Sequence, residues 1–198
     1  MSYVIILDAG HGGLINGVYQ TAGKRSPIWE DGSVYYEGVG NREIVRKLTE
    51  RLEADGIEVY NSNPTDYDIP LRTRVNNINA EIRSNKDKKY IGVSVHSNGF
   101  SKESAHGWSV YTYNRASIDS YKLANLSAEA MIKEFPDRRL RGKKSSNFYI
   151  LKNTICPFVL TENFFHTNKY ECQNILMREE GQNKIVNLHY KFITEFIK

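Results

Sequence analysis

Apolar and polar positions along the chain follow two periods, and their alternation sketches the fold. Val4-Ile5-Ile6-Leu7 is a short β-branched run ending at Asp8-Ala9-Gly10-His11-Gly12-Gly13, which reads as a buried strand stopped by a turn. From about Glu37 to Asp55 the period lengthens. Ile44, Leu48 and Leu52 recur every four residues with Val45 beside them, while Arg42, Glu43, Arg46, Lys47 and Glu50 take the other face, and Gly56 ends the helix. Ile57–Tyr60 returns to strand character. Pro70 opens a second helix to about Ser84, with Leu71, Val75, Ile78 and Ile82 as its stripe and Arg72 and Arg74 set to pair with acids. Tyr90–His96 is a third strand and Gly107–Tyr113 a fourth. Residues 118–135 form a helix stopped by Pro136, Asn147–Leu151 and Phe158–Thr161 read as strands, 168–177 reads as helical, and the last helix spans about 182–197.

Strand, helix, strand with connections of this length predicts parallel pairing. The expected fold is α/β: a single domain, residues 1–198, with an open, mostly parallel sheet. A chain of 198 residues buries roughly 70% of its unfolded surface, enough for one respectable core. The pattern fails over Leu14 to Tyr36, which is rich in Gly, Ser and Pro with scattered aromatics. A stretch of this kind in a compact domain is functional or disordered. We read it as a wall of the site, with a small hairpin around Asp31-Gly32.

Composition changes this picture little. The chain is 40% hydrophobic and 25% charged, and no apolar run approaches the 18 or so residues of a membrane span. Stable membrane insertion is not expected. The first residues lack a basic region and a small-residue cleavage site, so a chain made in the cytoplasm without a signal peptide is expected. Net charge is +4, and the densest basic segment is Arg138-Arg139-Leu140-Arg141-Gly142-Lys143-Lys144, read as a solvated loop able to meet a polyanion. No recognition helix or RNA-binding aromatic motif accompanies it, so no nucleic-acid partner is expected. Cys156 and Cys172 form no metal or redox motif and are read as reduced thiols.

Three strands end in chemistry: His11, His96 and Glu162. In open α/β sheets, ligands bind in the crevice outside the carboxyl ends of strands. Two imidazoles and a carboxylate form the ligand set of a catalytic zinc site with one position left for water. No H-E-x-x-H occurs, which excludes the helical zinc-protease layout. A hydrolytic site needs a second carboxylate to carry a proton. Glu37, Glu162, Glu30 and Asp31 all qualify, and the residue pattern alone leaves that choice open. His106 precedes a strand, and His189 falls near the apolar face of the last helix, where a packed or half-exposed role is expected.

Several segments resemble the zinc-dependent N-acetylmuramoyl-L-alanine amidases of the Amidase_3 family. They are Ile6–Gly13, Glu37 with Asn41, Leu71 with Arg74 and Val75, Ser94–Asn98, Phe148–Leu151 and Leu160–Asn168, in the family's order. The resemblance implies zinc held by His11, Glu37 and His96, and Glu162 as catalytic base, and it implies an open, twisted sheet of about six strands flanked by helices. It implies hydrolysis of the bond between N-acetylmuramic acid and L-alanine, with peptidoglycan as partner. His166, Asn98 and Asn168 are candidate substrate contacts. Where the family often has Glu-Thr-Gly-Phe, this chain has Glu162-Asn163-Phe164-Phe165. A phage or prophage lysis enzyme (an endolysin), acting on the wall after release and without a separate wall-binding domain, is the expected setting. The alternatives are a zinc peptidase or deacetylase on another bond of the same polymer, or a peptidoglycan-binding module without turnover.

Overall fold

The computed structural model describes residues 2–198. Its main sheet has six strands in the order β4-β1-β5-β8-β6-β7. The strands β1 (Tyr3–Ala9), β4 (Glu58–Asn61), β5 (Lys89–Asn98) and β8 (Phe158–Phe165) run parallel. β6 (Trp108–Thr112) is antiparallel to β8, and β7 (Leu140–Ser145) follows β6 in parallel. The expected α/β class with a mostly parallel six-stranded sheet is the observed one. No helix among the described residues is long and apolar enough to cross a membrane.

The period-2 alternation of β1 explains the layering. Ile5, Leu7 and Ala9 face a large core that also contains Ile44 and Leu48 of α1 (Glu37–Ala54) and Leu123 of α3 (Ile118–Glu134). Ile185 and Phe192 of α6 (Glu179–Ile197) close this layer. Val4 and Ile6 face a smaller core with Val75 and Ile78 of α2 (Leu71–Ser84) and Ile150 of α4 (Tyr149–Asn153). On this face the site opens at His96 and Glu162, toward the carboxyl ends of β5 and β8.

Two local expectations change. Asn147–Leu151 is not a strand: Tyr149–Asn153 is a short helix. An unbroken apolar run does not by itself distinguish strand from helix. The sixth strand is instead Leu140–Ser145, inside the basic segment read as a loop. It is a sheet edge, where charged side chains replace apolar alternation. Residues 168–177 are helical as expected, a three-residue α5 (Lys169–Glu171) running into a π-helical turn at Cys172–Leu176.

The irregular stretch after β1 folds back antiparallel around Asp31-Gly32, as expected, with Arg25 bridged to Tyr36 and Ser26 N donating to Tyr35 O at 2.8 Å, and it holds a second hairpin nearer β1. β2 (Leu14–Ile15) and β3 (Val18–Tyr19) pair across Asn16 (φ 50°) and Gly17 (φ 79°). This Asn-Gly pair is the strongest short hairpin signal a sequence offers. Asp31-Gly32 forms a turn in which Gly32 N donates to Trp29 O at 2.9 Å.

Candidate metal centre and active site

Asp8, fully buried at the end of β1, gathers the elements around the site. Ser62 and Ser94 donate to its carboxylate at 2.7 and 2.6 Å, and Arg74 lies 3.3 Å away. Arg74 also donates to Ala9 O at 2.9 Å and pairs with Asp68 at 3.0 Å, as expected of an arginine early in α2. The chain then turns through Gly10 and His11. A Cβ on Gly10 would lie 2.2 Å from His96 Cε1, so only glycine leaves room for that ring. His11 has φ 68°, a left-handed conformation uncommon for a side-chain-bearing residue. Its carbonyl accepts from Arg42 at 2.7 Å, Asn63 at 3.0 Å and Arg74 at 3.4 Å, which holds the turn in place.

Glu37 opens α1, and its carboxylate sits between two imidazoles. His11 Nε2 is 3.3 Å from Oε2, and His96 Nδ1 is 3.1 Å from Oε1. The two rings stand nearly perpendicular, at 88°, with centroids 5.0 Å apart. Donor atoms of His11, Glu37 and His96 all lie within 4.8 Å of one another, a grouping that can hold a metal ion. Ligands at 2.0–2.1 Å in a tetrahedron are separated by ~3.4 Å. The two His–Glu separations come close to that edge, and the nitrogen–oxygen donor set suits zinc. Burial alone would raise the Glu37 pKa, but the two histidines overcome it and hold the carboxylate well below its usual range. Burial pulls His96 down, and Glu37 more than restores it, so its pKa is raised.

Glu162 faces the same space from β8, in register with His96. Burial, opposed by His96 and reinforced by Glu37, pushes its pKa up to about 7. Its Oε2 is buried without a hydrogen-bond partner. Across β6 its strand partner is Ser109, whose buried hydroxyl also lacks one.

A β-bulge follows Glu162. His96 pairs with Glu162, but Asn98 pairs with Phe165, and Phe164 between them has φ 64°. The bulge removes a ladder partner from His96, and a side chain replaces it: Asn163 Nδ2 donates to His96 O at 3.0 Å. Asn163 is itself fixed. Its Oδ1 accepts from Trp108 Nε1 at 2.8 Å, and its second N–H donates to Thr161 Oγ1 at 3.2 Å. Thr161 donates onward to His189 Nε2 at 2.9 Å, because His189 Nδ1 must donate to Ile185 O at 2.8 Å. A fully buried polar chain thus runs from α6 to the backbone of His96. Of the expected roles His189 takes the packed one, and burial lowers its pKa to about 4.

His11, Glu37, His96 and Glu162 line a cleft of about 880 Å³. Its rim carries Lys24 and Arg25 from the stretch after β3, and Phe148 and Tyr149 from the start of α4. Asn98 and His166 line it too. His166 is buried, which lowers its pKa, and its Nδ1 is hydrogen-bonded to Ser97 Oγ at 3.2 Å. Asn168 lies outside the lining. Its Oδ1 accepts from Glu171 N at 3.0 Å and its Nδ2 donates to Glu103 O at 2.8 Å, so it caps α5 instead. Glu30 pairs with Lys169, and Asp31 accepts from Ser33, which leaves neither at the histidines. A groove of about 920 Å³ along α1 contains no histidine.

Comparisons with known proteins bear on the family and the fold. The Amidase_3 family model, described as N-acetylmuramoyl-L-alanine amidase, matches residues 5–195. The chain is 27% identical over 210 aligned residues to the endolysin of Bacillus phage SPP1, covering 100% of this chain and 67% of that protein. It is 32% identical over 171 residues to a cell wall amidase of Bacillus anthracis, covering 83% of this chain and 30% of that protein. In structure it is similar to the catalytic domain of CwlV, an N-acetylmuramoyl-L-alanine amidase from Bacillus (Paenibacillus) polymyxa var. colistinus. That match has a TM-score of 0.77 and 25% identity and covers 100% of both chains.

Proposed function

This chain belongs to the Amidase_3 family of N-acetylmuramoyl-L-alanine amidases and is a peptidoglycan amide hydrolase, and we propose that it works with a zinc ion held by His11, Glu37 and His96 and with Glu162 as proton carrier. The observation that carries this reading is the pair of histidines bridged by Glu37 and facing a second carboxylate whose inner oxygen is unpartnered. Zinc bound there supplies a Lewis acid for the lactyl carbonyl and lowers the pKa of a bound water toward ~7. Glu162 accepts the proton of the attacking water as the new C–O bond forms. As the C–N bond breaks, Glu162 returns that proton to the L-alanine nitrogen, which leaves as an amine. Its elevated pKa suits a group that must both take and give a proton near neutrality. Asn98 and His166 contact the substrate from the cleft wall, with His166 held by Ser97.

We further propose wall lysis in a phage or prophage setting, by likeness to the phage endolysin. The test is replacement of Glu162 by Gln. Stoichiometric zinc with turnover reduced by at least about a thousandfold is expected. Near-full turnover would overturn the assignment of Glu162.

A further inference from the structure

Arg138, Arg139, Arg141, Lys143 and Lys144 lie within seven consecutive residues on and just before β7, the outer edge of the sheet. Among the described residues, none of them forms a salt bridge. Without these five, the chain's 27 basic residues no longer outnumber its 23 acidic ones, so the molecule's whole basic excess is carried on this edge. The opposite edge, β4, is different: Glu58 there is neutralised by Lys88 at 2.7 Å.

Four of the five cations are nevertheless held, by neutral groups. Arg138 lies 4.5 Å from the Tyr170 ring centroid, and Arg141 lies 5.0 Å from that of Phe165. Lys143 donates to Asn125 at 2.6 Å, and Lys144 donates to the Tyr111 hydroxyl at 3.4 Å. Neutral holders fix long side chains without cancelling their charge, which lowers the ordering cost of meeting an anion. Alternate residues of a strand repeat at ~6.7 Å, an interval suited to phosphates linked through short polyols. The edge also adjoins the cleft, since Glu162 pairs with Ser109 and Ser109 with Gly142.

We propose that the β7 edge binds a linear polyol-phosphate polymer of the cell wall and so holds the enzyme beside its substrate. The proposal rests on the peptidoglycan reading above. A nucleic acid is disfavoured because the rings of Tyr111, Phe165 and Tyr170 already carry Lys144, Arg141 and Arg138, so bases would have to displace these cations in order to stack there.

The test measures co-sedimentation of the whole chain with isolated Gram-positive walls, before and after hydrofluoric acid removes their phosphate polymers. Purified poly(glycerol phosphate) and single-stranded DNA serve as competitors, and cleavage of a soluble muropeptide is followed separately. Binding to intact walls is expected to exceed that to stripped walls at least tenfold. It should weaken on the order of a hundredfold between 50 and 200 mM salt. R139E/K143E should lose at least tenfold in binding while soluble cleavage stays within twofold. R139Q/K143Q, with a milder change in charge, should fall between. Equal retention on stripped walls, or DNA competing better than the polyol phosphate, would overturn the proposal while leaving the amidase reading intact. Wall binding without cleavage of the soluble substrate would do the reverse.

Discussion

Glu162 and Asn163 are neighbours in sequence and do different work on the two sides of β8. Glu162 faces the cleft, whereas Asn163 reaches back to the carbonyl of His96 across the bulge. We expect Asn163→Ala to weaken zinc binding ~10–100-fold, as the loss of a partner that orients a metal ligand does, and to destabilise the fold by ~1–3 kcal/mol. Chelator competition and denaturant melts measure the two effects, and unchanged zinc affinity would mean that the bulge alone positions His96. At this scale the sequence was informative wherever a strand ran into a polar residue: His11, His96 and Glu162 could be marked from pattern alone. Glu37 could not be separated from Glu30 and Asp31, because it reaches the site from the start of a helix after a stretch without periodicity. Asn163 carried no signal of its own, since its role exists only once a bulge has left a carbonyl without its ladder partner.

At the scale of elements, the start of α1 and the glycine turn after β1 touch backbone to backbone. A Cβ on Gly38 would lie 2.0 Å from Gly12 O. Gly38→Ala would gain ~1 kcal/mol of helix propensity, yet the clash with main chain should produce a net loss of ~1–3 kcal/mol and loosen Glu37 against His11. A higher melting temperature with intact zinc affinity would contradict this.

The join of α6 to β8 through His189 predicts a pH effect. The His189 pKa is near 4 when folded, against an ordinary 6.5, so between those values the unfolded chain binds a proton that the folded chain does not. This contribution is full above pH 6.5 and is lost as the pH falls to 4, by ~3 kcal/mol in all. Glu162, raised from 4.5 to about 7, has the opposite slope over much of the same window. The effect is therefore read as the difference between wild type and His189→Gln, which should narrow on acidification from 6.5 to 4; a constant difference would exclude it. Elements with clear periodicity, such as α1, α2, α3 and α6, were legible in the sequence. β7 and α4 were not, because an edge strand covered by cations and a five-residue apolar run carry no decisive period.

For the whole molecule, a zinc ion held as proposed by His11, Glu37 and His96 would tie β1, α1 and β5 together at the cleft end of the core they share. Zinc at a thousand times its dissociation constant adds ~4 kcal/mol of stability. For a chain of this size, chelation should therefore lower the melting temperature by ~10 °C, and added zinc should restore it. The α/β class could be read from the sequence because alternating strand and helix patterns restrict the topology, and the sheet of about six strands followed from the family resemblance. The reversal of β6 and β7 could not, since pairing direction at an edge leaves no mark on a single strand's pattern.

The central claim is metal-dependent cleavage at the muramic acid–L-alanine bond. Its most direct measurement is amine end-group analysis of purified sacculi incubated with the protein, with and without chelator. New N-terminal alanine that disappears with chelator and returns with zinc is the predicted result. Stoichiometric zinc with no new alanine would contradict the account, and Glu162 would then need another role.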